Sequence, residues 1–211
     1  MAWTTTSEVR SLDTGGYVAT FRIAWNMRVG QDGSFKTCHD AEMVTPPTDA
    51  KPHLFDGTFT AVAKRPYKEL ANGKKDRLSR LAEADVLDGE AACHRWGILA
   101  LKKTYAFIKN MNDAGNGVDV DVPVLRYVHM AMVEAKAGMY FLLEEKIEGR
   151  FTKYVSNGGG EPVSGLSAGD LHIAEFLCFV QHHLYLEMGG QMIITDFQGE
   201  CLSRGRRGRA D

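Results

Sequence analysis

The stretch IITDFQGECLSRGRRGRAD, residues 193 to 211, delivers a carboxylate and an amide, Asp196 and Gln198, against Gly199 at the end of an apolar run. A carboxylate at a strand end can hold Mg²⁺, and the amide oxygen of Gln198 supplies a second hard ligand. An Asp that merely caps a turn before a glycine is the commoner fate of such a residue. Lys64 raises a matching question, because an ammonium in the last half of the apolar strand FTAVAKRPY costs free energy unless it reaches water or an anion. In MYFLLEEKIEGRFTKYVSNGGG, an apolar strand runs into Glu144 and Glu145, and Lys153 and Asn157 follow four residues apart. Cationic and amide groups of that kind contact phosphate oxygens, and an extended connector can present backbone groups to a base edge. A solvated hairpin with surface charge is the plain alternative. His182 and His183 in CFVQHHLYL point to different sides of a helix, so they cannot act together as an i, i+4 metal pair. A single histidine on an apolar face is ordinarily a packed core residue.

The elements that must position these groups follow from periodicity. GGYVATFRIAWNMRV, the turn QDG and SFKTCHDAEMV read as a meander of strands over residues 16 to 44. FTAVAKRPY is a further strand that Pro66 should end. From Lys74 to about Ala114 the period is helical, with Trp96, Leu99, Thr104, Phe107 and Ile108 near one face. VPVLRYVHMAMVEA, GMYFLLEEKIEG and RFTKYV read as strands and SNGGGEPVSG as a surface loop. GDLHIAEFLCFVQHHLYLEM reads as a helix with Asp170 as its N-cap, and MGGQMIITDF as a final buried strand.

Composition sets the class. The chain has 211 residues, 44% hydrophobic and 25% charged, which suits one large domain or two lobes with buried cores. A net charge of −2 argues against a general nucleic-acid binder, although Arg204, Arg206, Arg207 and Arg209 make the end locally basic. The four cysteines, Cys38, Cys93, Cys178 and Cys201, show neither C-x-x-C spacing nor disulfide-scaffold density, so a reducing, cytoplasmic setting is expected. No apolar stretch reaches the length of a membrane span, and the N-terminus lacks the pattern of an export signal. No nucleic-acid or membrane partner is therefore expected.

Together, GSFKTCHDAEM (33 to 43), AVAKRPY (61 to 67), FLLEEKIEGRFTKYVSNGG (141 to 159) and AEFLCFVQHHLYLEMGGQMIITDFQG (174 to 199) resemble the alpha-kinases. These are atypical serine/threonine protein kinases that include elongation factor 2 kinase and myosin heavy chain kinase. The order glutamate, I-x-G-x-F-x-K-Y-x-x-N, histidine and D-x-Q-G coincides with the family's pattern. DFQG has one residue more than the DFG of conventional protein kinases, and no H-R-D-L-x-x-x-N precedes it, which excludes that other class. The resemblance implies a two-lobed α+β kinase-like fold with ATP held between lobes, Mg²⁺ as cofactor, a zinc site in the larger lobe and a protein substrate. It implies a division into an N-terminal lobe at 1–143 and a hinge with an incomplete C-terminal lobe at 144–211.

The resemblance also assigns roles. Lys64 looks like the phosphate-contacting lysine, Gly33 lies in the turn of the loop that covers the phosphates, and Glu144 looks like the hinge glutamate. Lys153 and Asn157 resemble positions near nucleotide and metal, with Val155 replacing the first asparagine of the K-Y-N-x-N motif. Asp196 and Gln198 resemble the metal-associated pair, Asp196 being the catalytic candidate. His182, fourteen residues before Asp196, resembles one of four zinc ligands. The family's proposed catalytic base, an aspartate ten residues after the D of D-x-Q-G, is replaced by Arg206. The remaining zinc ligands and a glycine-rich loop would fall beyond Asp211, so the expectation is a truncated domain that holds nucleotide, turns over slowly or not at all, and binds no stoichiometric zinc. A nucleotide-binding or scaffold pseudokinase fragment is the alternative.

Overall fold

Period-two alternation in the N-terminal part produces antiparallel strands. In the computed structural model, which describes residues 5–11, 18–30, 35–45, 60–117, 121–135 and 138–200, these are β1 (Thr5–Ser11), β2 (Val18–Ile23), β3 (Lys36–Thr45), β4 (Ala61–Glu69) and a short β5 (Lys75–Arg77). They are joined by β6 (Met130–Ala135) and β7 (Tyr140–Glu145). The strand order is β3-β2-β1-β6-β7-β4-β5, and β3 also pairs with β4, so the sheet closes on itself. Successive side chains leave a strand on opposite faces, and closure gives one face an interior. Phe21, Ile23, Ala61, Ala63, Ala131, Val133, Phe141 and Leu143, spaced by two along their strands, form one buried cluster there. The alanines leave room for the two phenyl rings. Registers Cys38↔Lys64, Asp40↔Val62, Lys64↔Leu142 and Val62↔Glu144 put the alternate residues on the other face.

Two strand expectations need correction. β1 precedes the expected meander and bridges β2 to β6. β4 runs through Pro66 to Glu69 rather than ending there. The Tyr67 N–H donates to Phe35 O at 2.9 Å, so the N–H that Pro66 lacks would face the opposite side, where the β4–β7 ladder has already stopped at Lys64.

The helical period yields one continuous helix, α1 (Arg80–Asp113). Its inward face combines Leu87 and Leu101 with small residues and keeps only part of the expected face, Thr104 and Ile108. Leu87, Ala91, Ala100, Leu101 and Thr104 are buried, whereas Trp96, Leu99 and Phe107 remain exposed. Gly97 explains the rotation: a Cβ there would lie 2.3 Å from Tyr127 Cζ, so the aromatic ring packs directly on the helix backbone.

By contacts the chain forms two compact units, residues 1–94 with 128–146 and residues 95–127 with 147–211. This grouping differs from a division at 143/144. The chain passes from one unit to the other inside α1, where no linker composition marks the change. In the second unit, α2 (Ala168–Glu187) accompanies β8 (Thr152–Lys153) and β9 (Gln198–Gly199). Two clusters hold it, Tyr154, Val155, Ile173, Ala174, Leu177 and Phe197 in one and Ala100, Leu101, Phe176, Val180 and Leu184 in the other. The N-cap of α2 is Ser167, not Asp170: the Asp170 N–H donates to Ser167 Oγ at 3.2 Å and the Ser167 hydroxyl donates back to its carboxylate at 2.6 Å. The S-x-x-D spacing therefore caps the helix three residues earlier than expected, with the serine hydroxyl bridging the Asp170 N–H and carboxylate.

Of the expected strand VPVLRYVHMAMVEA only Met130–Ala135 joins a ladder, and MGGQMIITDF joins none, the short β9 beginning just after it at Gln198. Side chains take the place of a neighbouring strand. The Tyr105 hydroxyl donates to Pro123 O and accepts from Leu125 N, both at 2.8 Å, and Gln181 Nε2 donates to Ile194 O at 2.6 Å. Among the described residues no helix is long and apolar enough to cross a membrane.

Candidate functional site

In the first unit β4 and β7 place Lys64 and Glu144 on the same face of the closed sheet. Lys64 Nζ donates to Glu144 Oε2 at 2.5 Å. Burial opposes the ammonium, but the Glu144 carboxylate more than offsets it through charge and hydrogen bond, and the lysine pKa rises above its ordinary value. Cys38 sits opposite Lys64 in register, and burial pushes its thiol up. Two further ion pairs, not anticipated from sequence, flank the lysine: Lys146 Nζ to Asp40 Oδ1 at 2.7 Å, and Lys36 with Glu90 on α1. The segment expected to offer free backbone groups is partly engaged, since Glu145 N donates to His129 O and Lys146 N to Thr60 O, both at 2.8 Å.

In the second unit Lys153, Asn157, Asp196 and Gln198 come together. The β8–β9 register sets Lys153 opposite Gln198, and Lys153 Nζ reaches Asp196 Oδ1 at 2.8 Å. With the Asn157 amide turned so that its nitrogen faces the carboxylate, it donates to Asp196 Oδ2 at 3.0 Å and Oδ1 at 3.2 Å. Asp196 has φ +60°, the one left-handed non-glycine among the described residues. Such a conformation costs about 1 kcal/mol or more and persists where the surroundings impose it. Here Phe197 O accepts from Tyr154 N at 2.8 Å and from Val155 N at 3.2 Å, while Phe197 is buried. The chain is thus held just after the turn that aims the carboxylate, and two residues before Asp196 the Ile194 carbonyl accepts from Gln181 Nε2. Gln198 is exposed.

One contact beyond the sequence reading braces this cluster. Gly149 N donates to Glu200 Oε2 at 3.0 Å, and a Cβ at Gly149 would fall 1.8 Å from Glu200 Oε1. The I-x-G spacing carries that glycine, but nothing local announces its partner.

The remaining expected residues stand apart. His182 is exposed on α2, not packed, because it lies on the side opposite Gln181 and Leu184. Its neighbour His183 meets Thr104 Oγ1 at 3.2 Å and the Phe107 ring at 4.8 Å between centroids. Among the described residues no three His, Cys, Asp or Glu side chains come together as a metal set. Gly33, Cys201 and Arg206 lie outside the described residues.

A closed antiparallel sheet carrying an internally neutralised lysine, and a second unit carrying a lysine, an amide and a carboxylate at one turn, define an α+β protein of kinase type. The model of the alpha-kinase family matches residues 31–205, and the chain belongs to that family. Among solved structures, a novel alpha kinase from Entamoeba histolytica is 13% identical with TM-score 0.57, the match covering 95% of this chain and 74% of that one. The alpha-kinase domain of myosin heavy chain kinase A in complex with ADP is 13% identical with TM-score 0.57, covering 95% and 81%. The corresponding domain of myosin-II heavy chain kinase A in complex with AMP-PNP is 15% identical with TM-score 0.55, again covering 95% and 81%. Identities this low speak to the fold. No curated protein sequence matches the chain significantly.

Proposed function

We propose that the chain is an ATP-binding alpha-kinase domain directed at serine or threonine of a protein substrate. The observation that carries the reading is the convergence of Lys153 and Asn157 on Asp196 beside Gln198. The oxygens of Asp196, Gln198 and Asn157 are hard donors that fit Mg²⁺, an ion normally bound by one or two carboxylates with substrate phosphates completing its shell. When bound, the metal would neutralise charge that develops on the transferring phosphoryl group.

The chain's own residues do the rest. Lys64 offers an ammonium to a phosphate oxygen, and Glu144 keeps it extended and charged. Lys153 supplies a second cation. The relatives solved with ADP and AMP-PNP support a nucleotide in this role. His182, exposed and without a companion set among the described residues, does not fit a structural zinc site, which needs four protein ligands. Elemental analysis of protein purified without chelator should find no stoichiometric zinc, and one tightly held zinc per chain would contradict this.

A second reading, a nucleotide-holding domain with little turnover, is favoured by Arg206 at the position of the family's proposed base. Loss of a positioned base costs about 10²–10⁴-fold in rate. Incorporation of labelled phosphate into a basic protein substrate separates the two. Incorporation abolished by Asp196→Ala supports the kinase, and nucleotide binding without incorporation supports the second reading.

A further inference from the structure

We infer that Lys153 and Asn157 lock Asp196 against free divalent metal, and that the carboxylate opens only to a metal arriving with an anionic phosphate. The inference rests on the nucleotide reading above and concerns the regulation of that same site.

Both oxygens of Asp196 are already engaged. Oδ1 takes the Lys153 ammonium at 2.8 Å, and the Asn157 amide nitrogen lies 3.0 and 3.2 Å from the two oxygens. A carboxylate in this state has its charge matched one for one. A bare cation meets no net negative field and must displace an ammonium to coordinate. The backbone does not let the pair drift apart: Lys153 is on β8, registered on Gln198 two residues from Asp196, and the Asp196 turn is pinned through Phe197.

A nucleotide changes the balance by offering Lys153 another anion. Ammonium and phosphate pair as readily as ammonium and carboxylate, so Lys153 can transfer from Asp196 to a phosphate oxygen as the metal takes its place. Asn157 follows by rotation of its amide, which exchanges the nitrogen facing Asp196 for the oxygen, a hard donor suited to the same metal. Lys153 is thus a positioning residue with two anionic partners in turn. Nearly half of its side chain is exposed, so substitution removes no core contact.

The consequence is a sign inversion that a merely structural role would not produce. Replacing Lys153 by Met should strengthen free metal binding and weaken metal–nucleotide binding. The test is titration of the full chain with Mn²⁺, read by electron paramagnetic resonance, first without nucleotide and then with ADP. Without nucleotide, Lys153→Met should bind Mn²⁺ about two- to fivefold more tightly than the natural chain, as the breaking of a half-exposed ion pair predicts. Lys153→Arg should restore the exclusion, and Asp196→Asn added to Lys153→Met should remove the gain. With ADP, Lys153→Met should hold Mn²⁺ more weakly than the natural chain. Equal free-metal binding by the natural chain and Lys153→Met, or a gain that survives Asp196→Asn, overturns the lock. If the natural chain binds no ADP, the nucleotide reading fails, and the nucleotide-free titration still decides the lock.

Discussion

Lys64 and Glu144 stand 80 residues apart in sequence, yet their Nζ and Oε2 atoms lie 2.5 Å apart on adjacent strands. Both side chains are mostly withdrawn from water, at 29% and 13% exposure. Neither group tolerates such a position alone, so the pair makes each side chain's charge acceptable and aims the ammonium along the outer face of the sheet.

Lys64→Met should therefore leave a largely buried carboxylate without its partner and cost about 1–3 kcal/mol, read as a fall in the urea midpoint. Lys64→Arg should recover part of it. The raised lysine pKa gives the contribution a pH window. It is fully present below the unfolded lysine value of about 10.4 and is lost as pH rises through the higher folded value. The difference in stability between the natural chain and Lys64→Met should shrink across that alkaline range.

His39 predicts acid sensitivity of the first unit. It is buried, its Nδ1 lies 3.0 Å from Met27 O and 3.3 Å from Ala24 O, and Trp25 packs edge-on at 5.0 Å. The two carbonyls place the proton on Nδ1, and burial lowers the pKa despite them. A depressed histidine contributes stability above the unfolded value of about 6.5, and that contribution falls as pH drops toward the folded value. Unfolding free energy should decline below that pH with a component of at most about 1.4 kcal/mol per pH unit that His39→Gln lacks.

Gly97→Ala tests the packing that turns α1. Alanine is the better helix former by about 1 kcal/mol, but here its methyl group would meet the Tyr127 ring, and overpacking costs about 1–3 kcal/mol. The net change should be destabilising. Burial pushes the Tyr127 phenol up to about 12, so a ring displaced toward solvent should ionise at lower pH in an ultraviolet titration. A stabilised variant with an unchanged tyrosine titration would contradict the packing.

What was legible in the sequence was local. Lys153 and Asn157 lie four residues apart, Asp196 and Gln198 two, and the second cluster needs only that the two short segments meet. The strands carrying Lys64 and Glu144 were legible from alternation, but not the register that joins them, which depends on pairing across 80 residues. Closure of the sheet depends in the same way on β1, a polar strand whose TTSEVRS gives no alternation signal. Of the expected inward face of α1, Thr104 and Ile108 pack inward while Trp96, Leu99 and Phe107 do not, because bulk alone does not mark burial and Gly97 and Ala100 allow close approach. MIITDF reads as a buried strand because apolar runs do not reveal whether a neighbour or a side chain such as Gln181 satisfies the backbone. Ser167 and Asp170 both cap well by type, and only the direction of the hydrogen bonds separates them.

In the proposed function Asp196, with Lys153, Asn157 and Gln198, forms the metal–nucleotide end of an alpha-kinase site. Titration of a fluorescent ATP analogue into the full chain with and without Mg²⁺, comparing the natural protein with Asp196→Ala, decides this. The natural chain should bind more tightly with Mg²⁺ present, and Asp196→Ala should lose that metal dependence while keeping its far-ultraviolet circular dichroism. Nucleotide binding with the same Mg²⁺ dependence in both proteins would contradict the assignment.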